Sequence, residues 1–445
     1  MIGRRGFLAG ISAGALLPAV APGPARAQSG PLRIEIFDGV DSAIPIVFAP
    51  FETRAGAEQA AALAAQIASV AADDLISSGR FALYEAAPAD LPGSSFDGPV
   101  AYSEWRMTEA ELLITGAVAV AAEQVTLQFR LFDIFAGQPL GDGMQLQAPL
   151  SGWRRLAHKL ADQALARITG EQPYFDSRIA FVGRSGDQTS PQRRIGVMDY
   201  DGHNVKWLSD GEHLVLAPRI SPDGQSVMFT TYASGVPQLV VVDVETMTRR
   251  QLTTNALAMS FAARMSADGE WIAFSRETDG NTDIWVMDRG GVFARKLTSG
   301  PSIDTAPSWS PDGQQIVFES DRSGSPQLYV MAADGSNPRR ISFQEGRYGA
   351  PVWSPRGDLI AFTRVGEDGA RIGVMRPDGS SERMLSTGPG DESPSWAPGG
   401  RMIVFGRQVG REPETLNFVD LAGRTVQPGG EGILGAEPYW GPLLP

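Results

Sequence analysis

Few side chains in this sequence could do covalent or acid–base chemistry, and those few are poorly placed for it. A Gly-x-Ser-x-Gly arrangement, in which a strained turn presents a serine nucleophile, occurs once, at Gly10-Ile11-Ser12-Ala13-Gly14. It lies in an N-terminal stretch that reads as a cleaved export signal and is lost with it. Only His158, His203 and His213 are available as imidazole bases or ligands, so a Ser-His-Asp constellation has little raw material. Cysteine is absent, which excludes disulfides, thiolate catalysis and Cys-ligated zinc. Asp199-Tyr200-Asp201-Gly202 and Asp279-Gly280-Asn281-Thr282-Asp283 look like fragments of calcium loops, yet neither continues to the spaced bidentate Glu. They read as turns that need Asp and Gly for backbone reasons; a lone Ca2+ in a central channel stays open. No catalytic residue, cofactor or metal site is expected, and the chain reads as a non-enzyme.

The elements around these residues are set by a repeat. Near residue 310 the module reads Pro307-Ser308-Trp309-Ser310-Pro311-Asp312-Gly313, then the apolar runs Ile316-Val317-Phe318 and Gln327-Leu328-Tyr329-Val330-Met331, then an Asp334-Gly335 turn. The Ser-Pro-Asp-Gly position recurs at Ser221, Ser266, Ser310, Ser354 and Ala397, in steps of 43 to 45. A further step of 44 reaches Gly441, after which no strand follows. Each module supplies four strand-sized pieces, here called a to d, joined by turns whose Asp-Gly pairs supply positive φ. Four antiparallel strands per 40–50 residues is a β-propeller blade.

Strand b occurs six times, at Ile179, Val227, Ile272, Ile316, Ile360 and Ile403. Strand a also occurs six times, led by Pro218, Ala263, Pro307, Pro351, Pro394 and Pro438. The last strand a therefore has to pair with the first strand b, closing a six-bladed ring and removing its open edges. The recurrent Trp309, Trp353, Trp396 and Trp440 read as blade-to-blade packing.

Residues 1–27 read as the export signal: Arg4 and Arg5, an apolar stretch Phe7 to Val20, and an Ala25-Arg26-Ala27 cleavage site. Arg4-Arg5-Gly6-Phe7-Leu8 resembles the twin-arginine signature, with an ordinary Sec signal as the alternative. Beyond it, no stretch reads as a transmembrane helix. Residues 28–169 read as a mixed α/β domain, 170–177 as a linker and 178–445 as the propeller, an α+β multidomain chain overall. A helix is expected from a Ser151 N-cap to Gly170, with Trp153, Leu156, Leu160 and Ala164 inward. The chain's charge is −13; losing the signal leaves 35 basic against 51 acidic residues, or −16. That balance argues against nucleic acid and anionic membrane surfaces.

Two surfaces are candidates for partners. Segments just ahead of strand a vary where the rest of the module does not, and they carry Leu216, Met259, Ser260, Phe261, Asp304, Thr305, Tyr348, Asp391, Glu392 and Glu437. Apolar anchors with a polar rim suit a protein interface; ordinary loop diversification is the plain alternative. Leu32-Arg33-Ile34-Glu35-Ile36-Phe37 alternates as a strand behind a Gln28-Ser29-Gly30-Pro31 lead, and could add to a partner's sheet edge or be the first strand of its own domain.

The export signal, Arg33-Ile34-Glu35-Ile36 followed by Gly39-Val40-Asp41-Ser42 and Pro45-Ile46, the Tyr200-Asp201-Gly202 turn and six blades closed by Trp440-Gly441-Pro442 together resemble the TolB family of the Tol–Pal envelope system. The resemblance implies a monomeric periplasmic adaptor. It implies Pal lipoprotein docked on the strand-a segments and TolA contacting Leu32 to Phe37, with the two sites coupled. It also implies a role in outer-membrane integrity and in outer-membrane invagination at division. The competing class is a propeller hydrolase or lyase with a site in the central channel.

Overall fold

The computed structural model of the chain describes residues 43–185, 192–255, 257–428 and 432–445. The export signal expected over 1–27 and the strand expected at Leu32–Phe37 lie outside the described residues. The α/β unit comprises β1 (Ile44–Phe48), β2 (Glu52–Thr53), α1 (Ala57–Ser77), β3 (Phe81–Leu83), α2 (Tyr102–Trp105), β4 (Leu112–Ala121), β5 (Gln124–Asp133), β6 (Gln138–Pro139), β7 (Met144–Pro149) and α3 (Trp153–Thr169). Its sheet runs β3-β1-β4-β5-β6, with β2 on β4 and β7 on β5. β1 is parallel to β3 and β4, while β4 and β5 form a long antiparallel hairpin. Ala122 and Glu123, at φ 49° and 60°, make its two-residue turn.

α1 and α3 cover one face of this sheet, burying Ile67 and Leu75 with Leu160 and Ala164 over Leu127 and Phe129. Over Glu58–Ser77 α1 is long and apolar enough to cross a membrane by length and composition, contrary to the sequence reading. Its inward side chains are committed to the sheet and α3, so it serves as a core helix. α3 also starts later than expected. β7 stays paired through Pro149, so the chain first makes a 3-10 turn at Leu150–Gly152, and Gly152 caps without a side-chain bond. Gly170 closes the helix at φ 70°, as its position predicts.

The rest is six antiparallel sheets, five of four strands and one, in the last blade, of five, where the short strand Ile433–Leu434 pairs beside its third strand. In blade 1, strand a is Ala436–Leu443 and strand b is Ser177–Ser185, so the C-terminal strand pairs with the first propeller strand. Blades 2 to 6 begin with strands a at Val215–Ile220, Met259–Met265, Asp304–Trp309, Arg347–Trp353 and Asp391–Trp396. One phenylalanine of each strand b (Phe181, Phe229, Phe274, Phe318, Phe362, Phe405) is 3% exposed or less. Burying each contributes about 1.5–3 kcal/mol.

The Ser-Pro-Asp-Gly turn is held by its own side chains. Ser310 Oγ donates to Asp312 Oδ1 at 2.5 Å, and the N–H groups of Gln314 and Gln315 donate to Asp312 and Ser310. Ser221 and Ser266 repeat the pattern with Asp223 and Asp268. Trp309 and Trp396 donate their indole N–H to strand-a carbonyls of the preceding blade, at Arg264 and Val352.

Every strand a also carries a bulge. The residue there is left-handed in all six: Ala217, Ala262, Ala306, Ala350, Ser393 and Glu437, with φ between 48° and 57°. Such a non-glycine conformation costs about 1–3 kcal/mol. The freed N–H reaches across to the preceding blade. Ala306 donates to Ser275 Oγ (3.1 Å) and Ser393 to Thr363 Oγ1 (3.3 Å). Val182 occupies the equivalent place in blade 1 and cannot accept. There Ala217 donates to Glu437 Oε2 at 2.7 Å.

Candidate functional site

Antiparallel blades expose a–b and c–d turns on one face of the ring and b–c turns and d–a connections on the other. Among the described residues, the side-chain contacts of the α/β unit with the ring fall on turns of the first kind. Arg154 reaches Asp201 in the c–d turn of blade 1, Arg424 in the c–d turn of blade 6 donates to Gly79 O, and Arg401 lies 3.8 Å from Glu171. The candidate strand-a residues therefore stand on the opposite, open face. His203 and His213, though close in sequence, fall on different faces, because one precedes and the other follows strand d.

The segments ahead of strand a belong to the strand itself, and alternation sorts their side chains. Positions two before the left-handed residue turn inward. Ser260, Asp304, Tyr348 and Asp391 are each 1% exposed or less, so none is a contact available to a partner. Asp304 is held by Arg322 Nη2 at 2.8 and 3.0 Å. Asp391 is held by Arg407 Nε and Nη2 at 2.5 and 2.9 Å. Tyr348 donates to Glu382 Oε1 at 2.8 Å; burial and that carboxylate push its hydroxyl up to about 12.

The next position opens toward the channel mouth: Leu216, Phe261 and Thr305 are half-buried and Glu392 is exposed. Met259 is 39% exposed. Glu437 is occupied by Ala217 N–H and lies 3.7 Å from Arg193, so its carboxylate is a structural strut. Sequence reasoning missed Leu214, Leu257, Phe343 and Leu434, large apolar side chains left exposed in d–a connections, and did not single out Ile303 beside them. Their signal was an apolar residue standing outside the strand period.

A second cluster sits where the α/β unit meets the seam. Asp74 of α1 accepts from Tyr200 Oη at 2.5 Å on Oδ1 and from His158 Nδ1 at 2.7 Å on Oδ2. His158 Nε2 has no hydrogen-bond partner and lies 3.7 Å from Asp201 Oδ2. Arg154 donates to that same oxygen through Nε and Nη2, at 3.0 and 2.5 Å. Burial opposes charging of His158, but Asp74, with Asp201 and Asp199 behind it, raises it to about 9. Despite burial, His158 and Arg154 hold the Asp201 carboxyl below its usual range.

Ligand atoms of Asp74, His158 and Asp201 lie within 4.8 Å of one another. A guanidinium and a charged imidazole already supply the positive charge that a cation would bring. His158 is 1% exposed and committed to Asp74, so it cannot serve a substrate as a base. Asp279 and Gly280 are a hairpin turn and Asn281 to Asp283 begin the next strand, with Asp283 taken by Lys296 at 2.5 Å. Tyr200 stacks on Trp440 at 6.1 Å and 12°, and Trp440 Nε1 donates to Ser177 Oγ. Asp162 of α3 accepts the N–H groups of Tyr174, Phe175 and Asp176 at 2.8, 2.8 and 3.0 Å, gripping the linker.

Fold and site together define a six-bladed propeller with an α/β unit locked across its closing seam. Residues 165–444 match the family model described as the TolB beta propeller domain, and residues 32–140 match the TolB amino-terminal domain. The chain belongs to the TolB family. It is 48% identical over 309 residues to a Tol-Pal system protein TolB of Dinoroseobacter shibae, covering 68% of each chain. It is 51% identical over 283 residues to that of Roseobacter denitrificans, covering 63% of each. The aligned stretch thus spans about two thirds of the curated relatives it matches. The crystal structure of TolB from Acinetobacter baumannii superposes with a TM-score of 0.78 at 25% identity, covering 90% of this chain and 97% of that one.

Proposed function

We propose that the protein is a non-enzymatic periplasmic adaptor of the Tol–Pal system, acting in outer-membrane integrity and in outer-membrane invagination during division. In this reading the open propeller face binds Pal around Leu216, Met259, Phe261, Thr305 and Glu392. The segment Leu32-Arg33-Ile34-Glu35-Ile36-Phe37 binds TolA. The observation that carries the first half is the apolar ring: Leu214, Leu257, Ile303, Phe343 and Leu434 place an exposed large side chain on five of the six d–a connections, on the face away from the α/β unit. Solvent-exposed apolar groups arranged around a concave mouth are what a protein interface desolvates. The Asp74–His158–Asp201 joint ties the α/β unit to the ring; that supports coupling between the two sites.

Calorimetric titration of the mature chain with the periplasmic domain of Pal tests the reading. Met259→Asp and Phe343→Asp should each weaken binding about tenfold or more, or about 1.4 kcal/mol. Wild-type affinity in both variants would remove the open face from the proposal. Deleting residues 28–37 should abolish TolA binding with the propeller's melting unchanged; retained TolA binding would remove that half.

A further inference from the structure

Strand a is the innermost strand of each blade, and the residue two after its left-handed bulge differs in kind from blade to blade. Around the ring these are Arg219, Arg264, Ser308, Val352, Ser395 and Tyr439. Ser308 and Ser395 turn their hydroxyls to backbone N–H groups of the next blade, at Trp353 and Trp440. Arg219 and Arg264 find no such partner. Their guanidinium carbons lie over the same Tyr439 ring, at 5.4 and 5.7 Å from its centroid. Arg219 spends one N–H on Pro218 O at 2.7 Å, and its Nε is buried without a partner.

Neither arginine forms an ion pair among the described residues. The nearby carboxylate, Glu437, is engaged by Ala217 and Arg193. Elsewhere on this face Arg322, Arg364 and Arg407 each hold a carboxylate. Both side chains are largely buried and keep some accessible area. Burial lowers Arg219, and burial with the charge of Arg219 lowers Arg264 to about 9.

Two guanidiniums brought together with no carboxylate in an ion pair to either, and with the nearby Glu437 already engaged by Ala217 and Arg193, leave directed N–H donors without acceptors. A planar fork matches the oxygens of a carboxylate or phosphate group, often in bidentate fashion. We infer that Arg219, Arg264 and Tyr439 form a binding site for a small oxyanion that enters along the central channel. The site is separate from the Pal-binding reading, since it lies past the bulge rather than at the mouth.

The test is the melting of the mature full-length chain in sodium phosphate, sodium acetate and sodium chloride at equal ionic strength. Phosphate, acetate or both should raise the midpoint by about 2–3 °C at ten times the dissociation constant, relative to chloride. Response to phosphate alone assigns a phosphoryl ligand, and response to both assigns the wider carboxylate and phosphate class. Arg264→Gln and Arg219→Gln should abolish the anion-specific rise. An equal rise in the variants would mean a bulk salt effect and would overturn the site, as would no rise in the parent. Should the variants not fold, bromide-soaked parent crystals decide. An anomalous peak between the two guanidiniums supports the site, and an empty position overturns it.

Discussion

Tyr200 of the first blade donates its hydroxyl hydrogen to Asp74 Oδ1 of the first helix at 2.5 Å, across 126 residues of sequence. Both groups are buried, and the same ring stacks on Trp440 of the closing strand. One side chain thus bonds the α/β unit and packs against the seam. This couples the unit's position to ring closure, and it makes the joint the place where changes in one part would be felt in the other.

Tyr200→Phe removes the donor and leaves a buried carboxylate oxygen short of a partner. The expected loss is about 1.5–3 kcal/mol, the range for hydrogen bonds to charged groups, read by urea denaturation. A loss below about 0.5 kcal/mol would show that the bond contributes little beyond ring packing.

The raised pKa of His158, about 9 against an ordinary 6.5, gives stability a pH dependence. The folded state holds its proton more tightly, so the contribution is fully present below pH 6.5 and is lost as pH rises toward 9. The difference between parent and His158→Gln should shrink by at most about 3 kcal/mol over that window. Parallel stability curves for the two proteins from pH 6.5 to 9 would contradict a charged imidazole in the joint.

Ring closure depends on the last strand. Truncation after Glu437 removes most of strand a of blade 1 and should lower the melting temperature sharply. Trp440→Ala, at a site 3% exposed, should cost about 3–5 kcal/mol. Calorimetric transitions like the parent's in both proteins would mean the clasp is dispensable.

The Asp391–Arg407 pair and its neighbour Glu392 separate structure from contact. Asp391→Ala leaves a guanidinium without its partner in a largely buried setting and should destabilise by about 3 kcal/mol. Glu392→Gln, one residue on and exposed, should stay within about 0.5 kcal/mol, and any effect on Pal binding should come from this residue. The reverse ranking in denaturation experiments would invert the inward and outward assignment.

The repeat, the blade number and the closure are legible from residue order alone, because each rests on local chemistry repeated at a fixed period. Ser310 and Asp312 make their turn from their own hydroxyl and carboxylate, and Gly313 supplies its positive φ of 69°. Counting strands a and b then required Trp440 to pair beside Ile179, as it does. The helix start at Ser151 was not legible, because the pairing of β7 with β5 decides where the chain can turn.

Which residues of a variable segment are free depends on the folded ring. Asp391 and Glu392 look alike in sequence, but the bulge fixes the phase of strand a, so one is locked on Arg407 and the other faces solvent. The joint of Asp74, His158 and Asp201, and the convergence of Arg219 and Arg264 on Tyr439, were equally hidden. Their members come from segments far apart in the chain, and no local period relates them; closing the ring and docking the α/β unit bring them within hydrogen-bond or ring-contact distance.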